Sequence, residues 1–344
     1  MLSFTISAIR QETATTKTLF LQPQNGIKPP YKAGQFLTLL FTEYGHEIRR
    51  SYSISSAPEI DEQISITVKK IPNGTISRWL VDHAKVGDVL NALPPAGMFT
   101  ILPQQNIKRH VFLIAAGSGI TPIYSLLKQV LHEESLSYIT LIYSNSHDKS
   151  TIFLQEIKAL EKQFPERLHV EWLFSNNPLI FKARLSSTLL EDLLRKHLKH
   201  AKHDALVYTC GPYDFMQMVQ IVALTNGFNK KNIRREVFVD PEDTEILQPY
   251  FDTTDRSITL IFKGKEYELF IPYQESILTA ALNKGIQLPY SCRAGRCSSC
   301  QCTVKKGTVF MHYNEVLTDA DVANGLALTC TGHPTSDDVV VEVG

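Results

Sequence analysis

The N-terminal third of the chain consists of short hydrophobic segments separated by turns. Apolar and polar side chains alternate with a period of two at residues 2–6 and 63–69, and residues 35–41 are almost continuously apolar. A period of two is that of a half-buried β-strand. Residues 75–85 instead have the spacing of one short helix. The pattern predicts a small antiparallel β-barrel over residues 1–105, with the helix against its bottom.

The middle third alternates between buried apolar runs and amphipathic segments. Such alternation is typical of a parallel sheet with helical crossovers, so residues 106–239 are predicted to form an α/β domain. The expected strands are residues 111–115, 139–143, 170–174, 205–209 and 233–237. The expected helices are residues 123–131, 151–163, 186–200 and 213–226.

The remaining residues predict a linker and a third domain. Residues 240–256 are acidic, rich in turn formers and without period, which indicates an interdomain linker. Within residues 257–344, Ser276 is the expected N-cap of a helix that stops at Gly285, and Thr318 begins a second, short helix. The expected strands are residues 257–262, 267–271, 301–304 and 339–343.

Composition and charge narrow the class of protein. The chain has 344 residues, 43% of them hydrophobic and 20% charged, which suits two or three globular domains. Lys plus Arg and Asp plus Glu both number 35, and the absence of a basic excess argues against a nucleic-acid partner. Residues 1–13 lack a signal-peptide pattern, and glycine and proline interrupt the longest apolar run, residues 111–127. We therefore expect a cytoplasmic protein without a membrane partner; the oligomeric state is not predicted.

Four cysteines near the C-terminus have the spacing of a cluster site. Cys292, Cys297 and Cys300 form a C-x4-C-x2-C pattern, and Cys330 follows after 29 residues. This spacing is typical of a plant-type 2Fe–2S ferredoxin, and Gly295 can supply a positive φ where the loop turns. A structural zinc site usually pairs two C-x2-4-C knuckles, and a disulfide needs an oxidising compartment. Both alternatives are therefore less favoured.

A segment of the predicted barrel carries a family motif. Arg50-Ser51-Tyr52-Ser53 matches the R-x-Y-S motif of the ferredoxin–NADP reductase family, which the chain resembles. The resemblance implies that Arg50 binds the flavin pyrophosphate, that the Tyr52 ring stacks on the isoalloxazine and that the Ser53 hydroxyl lies near flavin N5. A guanidinium forks onto phosphate and an aromatic face covers a flat ring, which suits these roles. Otherwise Tyr52 is a core aromatic and Arg50 a surface charge.

A second barrel segment predicts a phosphate site. Gly74-Thr75-Ile76-Ser77 is a turn that opens a helix, and its N–H groups with the Ser77 hydroxyl can bind an anion. The resemblance implies FAD rather than FMN, with Val68 and Lys69 as further cofactor-binding candidates. It also implies that residues 95–99 form the strand that closes the barrel.

Two loops of the α/β domain also match the family. Gly117-Ser118-Gly119-Ile120-Thr121-Pro122 fits its G-x-G-x-T-P pattern, and a glycine-rich turn after a first strand binds dinucleotide pyrophosphate. In Thr209-Cys210-Gly211-Pro212 the resemblance implies that Gly211 and Pro212 shape the nicotinamide site and that Cys210 lies near the hydride path. An inert buried thiol is the alternative for Cys210.

The preference between the two dinucleotides depends on the segment after the second strand. A 2′-phosphate needs a cation there, whereas NADH prefers an acid. Close relatives often have an arginine where Ser146 stands; Lys149 and His147 can replace it, while Asp148 acts against it. The balance favours NADPH.

The last strand of the α/β domain ends in Glu236-Val237-Phe238, which resembles the E-x-F end of the family. The resemblance places Phe238 over the flavin face opposite Tyr52; otherwise Phe238 is an ordinary core residue. The candidate catalytic residues are Ser53, Cys210 and Glu236.

The order of the domains predicts a function. A flavin barrel, a nicotinamide domain and a β-grasp ferredoxin resemble oxygenase reductase components, which pass electrons from NAD(P)H through FAD and a 2Fe–2S cluster to an oxygenase. The expected acceptor is the di-iron oxygenase of a phenylacetyl-CoA epoxidase. Another multicomponent oxygenase or hydroxylase, a redox sensor and a zinc-bearing module remain alternatives. Cys302 is interpreted as structural, and Arg293 and Arg296 as exposed cations, either simply solvated or able to meet an acidic partner.

Overall fold

A computed structural model describes residues 1–43, 45–179, 183–238 and 252–344. They divide into two compact units, Met1–Glu236 and Val237–Gly344. The predicted linker, residues 240–256, lies outside the described residues up to position 251. No helix among the described residues is both long enough and apolar enough to cross a bilayer.

The N-terminal part of the first unit is an antiparallel barrel, as predicted. Its six strands have the order β4-β3-β6-β1-β2-β5, and a bridge between Ile54 and Ile66 joins the two edges. Helix α1, Thr75–Asp82, buries Leu80 and Val81 in the barrel core. The strands are β1 Leu2–Thr13, β2 Thr16–Pro23, β3 Phe36–Glu43, β4 His46–Ser53, β5 Ile64–Lys69 and β6 Val89–Ala92.

The prediction for residues 95–99 was wrong. They form no strand, and only Ala96 pairs with the sheet, through a bridge to Phe36. Pro94 and Pro95 have no N–H to donate to a ladder, which explains why pairing does not extend to the N-terminal side of Ala96.

The second part of the first unit is a parallel sheet in the order β11-β10-β7-β8-β9. Alternate residues of a strand point to opposite faces, so the sheet carries two cores, one under α2 and α3 and one under α4 and α5. The strands are β7 His110–Ala116, β8 Tyr138–Asn145, β9 Leu168–Phe174, β10 Leu206–Cys210 and β11 Ile233–Glu236. The helices are α2 Ile120–Glu133, α3 Leu154–Gln163, α4 Ser187–His197 and α5 Tyr213–Thr225.

The barrel and the parallel-sheet domain are joined within the first unit. Lys128 of α2 forms an ion pair with Asp61, and Ser125 Oγ donates to the carbonyl of Ser56 at 2.5 Å. The Tyr208 hydroxyl donates to the carbonyl of Thr100 at 2.8 Å. Loops of the two domains are therefore held at fixed positions relative to one another.

The second unit is an α+β domain with the predicted β-grasp order. Its five-stranded sheet runs β13-β12-β18-β14-β16, and β15 and β17 form a separate pair. Ser276 caps α6 by accepting from the Thr279 N–H at 3.2 Å, and Thr318 caps α7. The strands are β12 Arg256–Phe262, β13 Lys265–Ile271, β14 Gln301–Lys306, β15 Val309–Met311, β16 Leu326–Leu328, β17 Gly332–Pro334 and β18 Val340–Val343. The helices are α6 Ile277–Asn283 and α7 Asp319–Ala323.

Candidate functional site

The carboxyl edge of the parallel sheet brings the predicted nucleotide residues together. Cys210 pairs with Ala115 of β7 on one side and with Glu236 of β11 on the other. Since all three strands are parallel, their carboxyl ends meet at one edge, where open α/β sheets bind ligands. The sheet therefore gathers three segments that are far apart in sequence.

Glycine is required in the nucleotide loop, residues 117–122, by the closeness of its neighbour. A Cβ on Gly119 would lie 2.1 Å from the carbonyl oxygen of Cys210. A Cβ on Gly211 would lie 3.0 Å from the Cβ of Ala116. At Gly119 the two loops therefore pack backbone against backbone, and only glycine permits that approach, whereas Gly211 is packed tightly against side chains.

Side chains hold the nucleotide loop in place and bring a cation to it. The Tyr143 hydroxyl donates to the carbonyl of Gly117 at 3.0 Å, and Thr121 Oγ1 donates to that of Ser118 at 3.0 Å. A Cβ on Gly117, which has φ +54°, would lie 3.8 Å from Lys69 Nζ. The ammonium group of the barrel strand thus faces the turn that is predicted to bind pyrophosphate.

Pro122 lies in the first turn of α2, so this helix begins three residues before its predicted start. Proline is tolerated there because the first-turn N–H groups have no partner within the helix. Pro212 likewise precedes α5 directly. Both loops therefore lead straight into a helix N-terminus.

Cys210 and Glu236 are buried side chains at this edge. Cys210 is fully buried and Glu236 is 7% exposed. Burial, and then the charge of Glu236, raise the pKa of the Cys210 thiol well above its usual value. The thiol is therefore neutral at physiological pH, and a role beside the hydride path would be one of packing rather than of proton transfer.

Strand β4 displays the flavin motif on its two faces. Arg50 and Tyr52 share one face because they are two residues apart. Burial raises the pKa of Tyr52, whose ring packs partly against the barrel core. Ser51 Oγ shares a hydrogen bond of 2.9 Å with Thr38 Oγ1, and Ser53 is buried. Arg50 and Tyr52 are therefore neighbours on one face of the strand, and their roles toward a flavin stay predictions.

The phosphate turn differs from its prediction in one detail. Gly74 caps α1, as expected for the turn. However, Ser77 Oγ donates to the carbonyl of Gly74 at 3.2 Å and accepts from the Ile71 N–H at 3.3 Å. The hydroxyl is thus engaged by the backbone of its own turn. The first-turn N–H groups of Thr75 and Ile76 have no partners inside the helix, so they stay the predicted donors to an anion.

Four other predicted residues have mixed placements. Val68 is fully buried in the barrel core, so its backbone alone can face a cofactor. Lys149 and Asp148 are both exposed in the turn after β8, where Asp148 Oδ1 accepts from the Lys149 N–H at 2.7 Å. Opposite charges in one turn do not decide between NADPH and NADH. Phe238 is 47% exposed and belongs to the second unit, so its place over the flavin stays a prediction.

The cluster loop, residues 290–300, has an unusual backbone. Arg293, Gly295 and Ser298 all have left-handed conformations, with φ of 56°, 69° and 53°. A Cβ on Gly295 would also lie 2.5 Å from the carbonyl oxygen of Tyr313. Gly295 is therefore required both by its φ and by the lack of space.

Backbone N–H groups of the cluster loop point at cysteine sulfurs. The N–H groups of Cys292, Ala294 and Gly295 each donate to a sulfur at 3.4 Å. The acceptors are, in the same order, the sulfurs of Cys297, Cys292 and Cys330. Such donors stabilise thiolates that carry the negative charge of a cluster.

Interactions between the cysteines shift their pKa values. Hydrogen bonding with the Cys297 thiol lowers the pKa of Cys292 to about 7, while hydrogen bonding with Cys300, and then burial, raise the pKa of Cys330. The C-x4-C-x2-C spacing with a distant fourth cysteine is that of a 2Fe–2S ferredoxin rather than that of a structural zinc site. Cys302 of β14 is buried and pairs with Ala327 of β16, which suits its interpretation as a structural residue.

Two residues that the sequence did not predict hold the cluster loop. Glu315 donates its N–H to the carbonyl of Gly295 at 3.0 Å, and its carboxylate lies 3.6 Å from Arg296 Nε. The Arg296 guanidinium also lies 5.2 Å from the centre of the Tyr313 ring. The Arg296 side chain is 16% exposed, so describing it as an exposed cation was wrong. Arg293 is exposed, as expected.

Three family models match the chain in the predicted order. The oxidoreductase FAD-binding domain matches residues 5–101, and the oxidoreductase NAD-binding domain matches residues 113–221. The 2Fe–2S iron–sulfur cluster binding domain matches residues 261–335.

Two curated proteins are similar over nearly the whole chain. The ferredoxin reductase component of the 3-ketosteroid-9-alpha-monooxygenase of Rhodococcus rhodochrous is 32% identical, covering 98% of this chain and 95% of that protein. The 1,2-phenylacetyl-CoA epoxidase of Escherichia coli K12 has a subunit that is also 32% identical, covering 99% of this chain and 97% of that protein.

A solved structure has the same fold. Phthalate dioxygenase reductase superimposes with a TM-score of 0.59 at 22% identity, covering 99% of this chain and 97% of that one. Together with the family models and the two relatives, these findings show that the chain belongs to the ferredoxin–NADP reductase family, as an oxidoreductase that joins FAD-, NAD- and 2Fe–2S-binding domains.

Proposed function

We propose that the protein is the reductase component of a multicomponent oxygenase, passing electrons from NAD(P)H through FAD and a 2Fe–2S cluster to a separate oxygenase. The observation that carries this proposal is the succession of the three binding domains in one chain, shared at full length with two proteins of oxygenase systems. Bound FAD supplies the conversion of a two-electron hydride donor into one-electron transfers that a cluster can accept.

The chain's own residues bind and align these groups. Arg50 binds the flavin pyrophosphate and Tyr52 covers the ring, while Ser53 lies in reach of the flavin. The nucleotide loop and Lys69 bind the dinucleotide phosphates. Cys210 and Glu236 border the nicotinamide, with Gly211 and Pro212 shaping its site. The four cluster cysteines hold the irons.

For the acceptor we propose the di-iron oxygenase of a phenylacetyl-CoA epoxidase. The similarity to a component of the Escherichia coli epoxidase supports this choice. The reductase component of the steroid monooxygenase has the same sequence identity to this chain, 32%. A steroid monooxygenase is therefore the second candidate acceptor. Reconstitution of the purified reductase with each oxygenase separates the two, since one acceptor will turn over with NAD(P)H and the other will not.

The test of the electron path is an anaerobic titration with NADPH and then with NADH, followed by absorbance and electron paramagnetic resonance. We expect bleaching of the flavin and then the signal of a reduced cluster. Flavin bleaching without a cluster signal would refute the proposed path.

A variant separates the two halves of the path. Cys297→Ser should abolish transfer to the oxygenase but change NAD(P)H–ferricyanide activity by no more than about twofold, because ferricyanide accepts electrons from the flavin. Cys302→Ala removes a neighbouring buried thiol that is not a ligand. It should retain the cluster signal and the full electron path.

A further inference from the structure

The interface between edge strand β9 and helix α4 is apolar at one end. Leu193 and Leu194 of α4 share a buried core with Leu173 of β9. On a helix, the residue three or four positions later continues the same stripe, and on a strand every second residue lies on the same face. The next positions of this interface are therefore His197 on the helix and Glu171 and His169 on the strand.

These three side chains converge on one point. His169 Nε2 and His197 Nε2 lie 3.0 Å and 2.9 Å from the same oxygen, Glu171 Oε1. All three atoms lie within 4.8 Å of one another. In a tetrahedral zinc site with bonds of about 2.0–2.1 Å, ligand atoms are roughly 3.4 Å apart. The two nitrogen–oxygen separations are a few tenths of an ångström shorter than that value.

We propose that His169, Glu171 and His197 bind a divalent transition metal, with Zn²⁺ as the expected ion. Two imidazoles and a carboxylate are a ligand set that zinc takes in proteins, with water in the fourth position. On binding, the proton at each Nε2 moves to Nδ1 through solvent, which frees the Nε2 lone pair without changing the charge of the ring.

The burial of the three groups suits such a site. The side chains of His197 and Glu171 are 12% and 24% exposed, so packing holds them, while His169 is 48% exposed and leaves a path for the ion.

Lys196 competes with the metal. Its ammonium lies 3.2 Å from the same Glu171 oxygen, although the side chain is 65% exposed. An exposed ion pair of this kind contributes little, so Lys196 can move away when a divalent ion arrives. Replacing Lys196 with an uncharged residue should therefore favour metal binding.

The site is separate from the cofactor loops. Glu171 pairs with Ile142, two residues before Ser144, which pairs with Ala116 just ahead of the nucleotide loop. It also lies on the edge strand, two strands away from β7. Metal binding can therefore be measured on the loaded protein independently of its redox chemistry.

The experiment is equilibrium dialysis of the holoprotein against Zn²⁺, with the unsubstituted protein as reference. Each of His169→Gln, Glu171→Gln and His197→Gln should weaken zinc binding by at least about tenfold. Lys196→Met should strengthen it severalfold. His203→Gln is the matched control, because His203 is an exposed histidine of the same domain that pairs with an aspartate, Asp204.

Equal zinc binding by the three ligand variants and by His203→Gln would overturn the proposal and leave a hydrogen-bonded ion cluster in its place. Circular dichroism and flavin content report whether each variant folds. If His197→Gln does not fold, His169→Gln still decides the matter, because His169 is the most exposed of the three ligands.

Discussion

In the nucleotide loop the obstacle to a side chain on Gly119 is the carbonyl of Cys210, which belongs to the adjacent strand of the sheet. In the cluster loop the obstacle at Gly295 is the carbonyl of Tyr313, and Arg293 and Ser298 are also left-handed. The first loop takes its shape from regular strand pairing on both sides. The second has an irregular backbone whose N–H groups point at sulfur.

The difference concerns what stabilises each loop. A left-handed conformation costs a non-glycine residue about 1–2 kcal/mol, so the cluster loop carries strain that ligation of iron can offset. The nucleotide loop shows close packing within a preformed sheet edge. We therefore expect the nucleotide loop to keep its shape without ligand, and the cluster loop to depend on its metal.

The strongest test of this difference is Gly295→Ala. The new Cβ would collide with backbone, so we expect loss of the cluster, measured as iron content and as the paramagnetic signal after reduction. Gly264→Ala is a matched control in the same unit, since Gly264 has nearly the same φ, 71°, and nothing within 4 Å of its Cβ position. Full iron content in Gly295→Ala would show that the loop adapts.

The corresponding change in the first unit is Gly119→Ala. Displacement of the nucleotide loop should lower kcat/KM for NAD(P)H by about 100-fold, because small misplacements of a bound reactant are costly. Flavin and iron content should be unchanged. A loss of either would mean that the substitution disturbs the structure beyond the nucleotide loop. Gly227→Ala, at a left-handed position with only an ordinary contact at 3.8 Å, should leave kcat/KM as it was.

A smaller effect is expected at Cys210. Cys210→Ala should slow hydride transfer by up to about tenfold through altered packing. Because burial and Glu236 raise the pKa of the thiol, it stays neutral as pH rises, and no inflection from about pH 7 to 9 should arise from it. Stopped-flow flavin reduction across this range is the measurement. An inflection that disappears in the variant would contradict the neutral thiol.

The smallest expected effect is at the exposed turn after β8. Lys149→Glu should raise the KM for NADPH about three- to tenfold, as expected for reversing one exposed charge beside a phosphate. Lys162→Glu, an exposed lysine in the last turn of α3, is the control. An unchanged KM for NADPH together with a strong preference for NADH would refute the predicted cofactor preference.

The chemistry-bearing segments could be predicted because each is local. The residues of each segment, Arg50–Ser53, the nucleotide loop and Cys292–Cys300, lie within a few positions of one another in sequence. Strand β2 was not predicted, although its buried residues alternate in part. The strand at residues 95–99 was predicted from the family resemblance. The lack of a proline N–H in this segment, which is visible in the sequence, argued against it.

Contacts between distant residues could not be predicted. Glu315 lies between Cys300 and Cys330, away from the three clustered cysteines in sequence, and its approach to Arg296 and Gly295 follows from tertiary packing of the second unit. The engagement of Ser77 by its own turn likewise depends on Ile71, whose backbone position a sequence pattern does not give. Local spacing in the sequence identifies candidate ligands, whereas the residues that hold those ligands in place are brought to them by the fold.

The buried position of Cys302 bears on the fidelity of cluster assembly. A fifth cysteine stands two residues from Cys300, and in an unfolded chain it could capture iron as readily as its neighbours. Once β14 pairs with β16, burial raises the pKa of Cys302, and a protonated thiol is a poor ligand. In the folded domain Cys302 therefore does not compete for iron with the four predicted ligands.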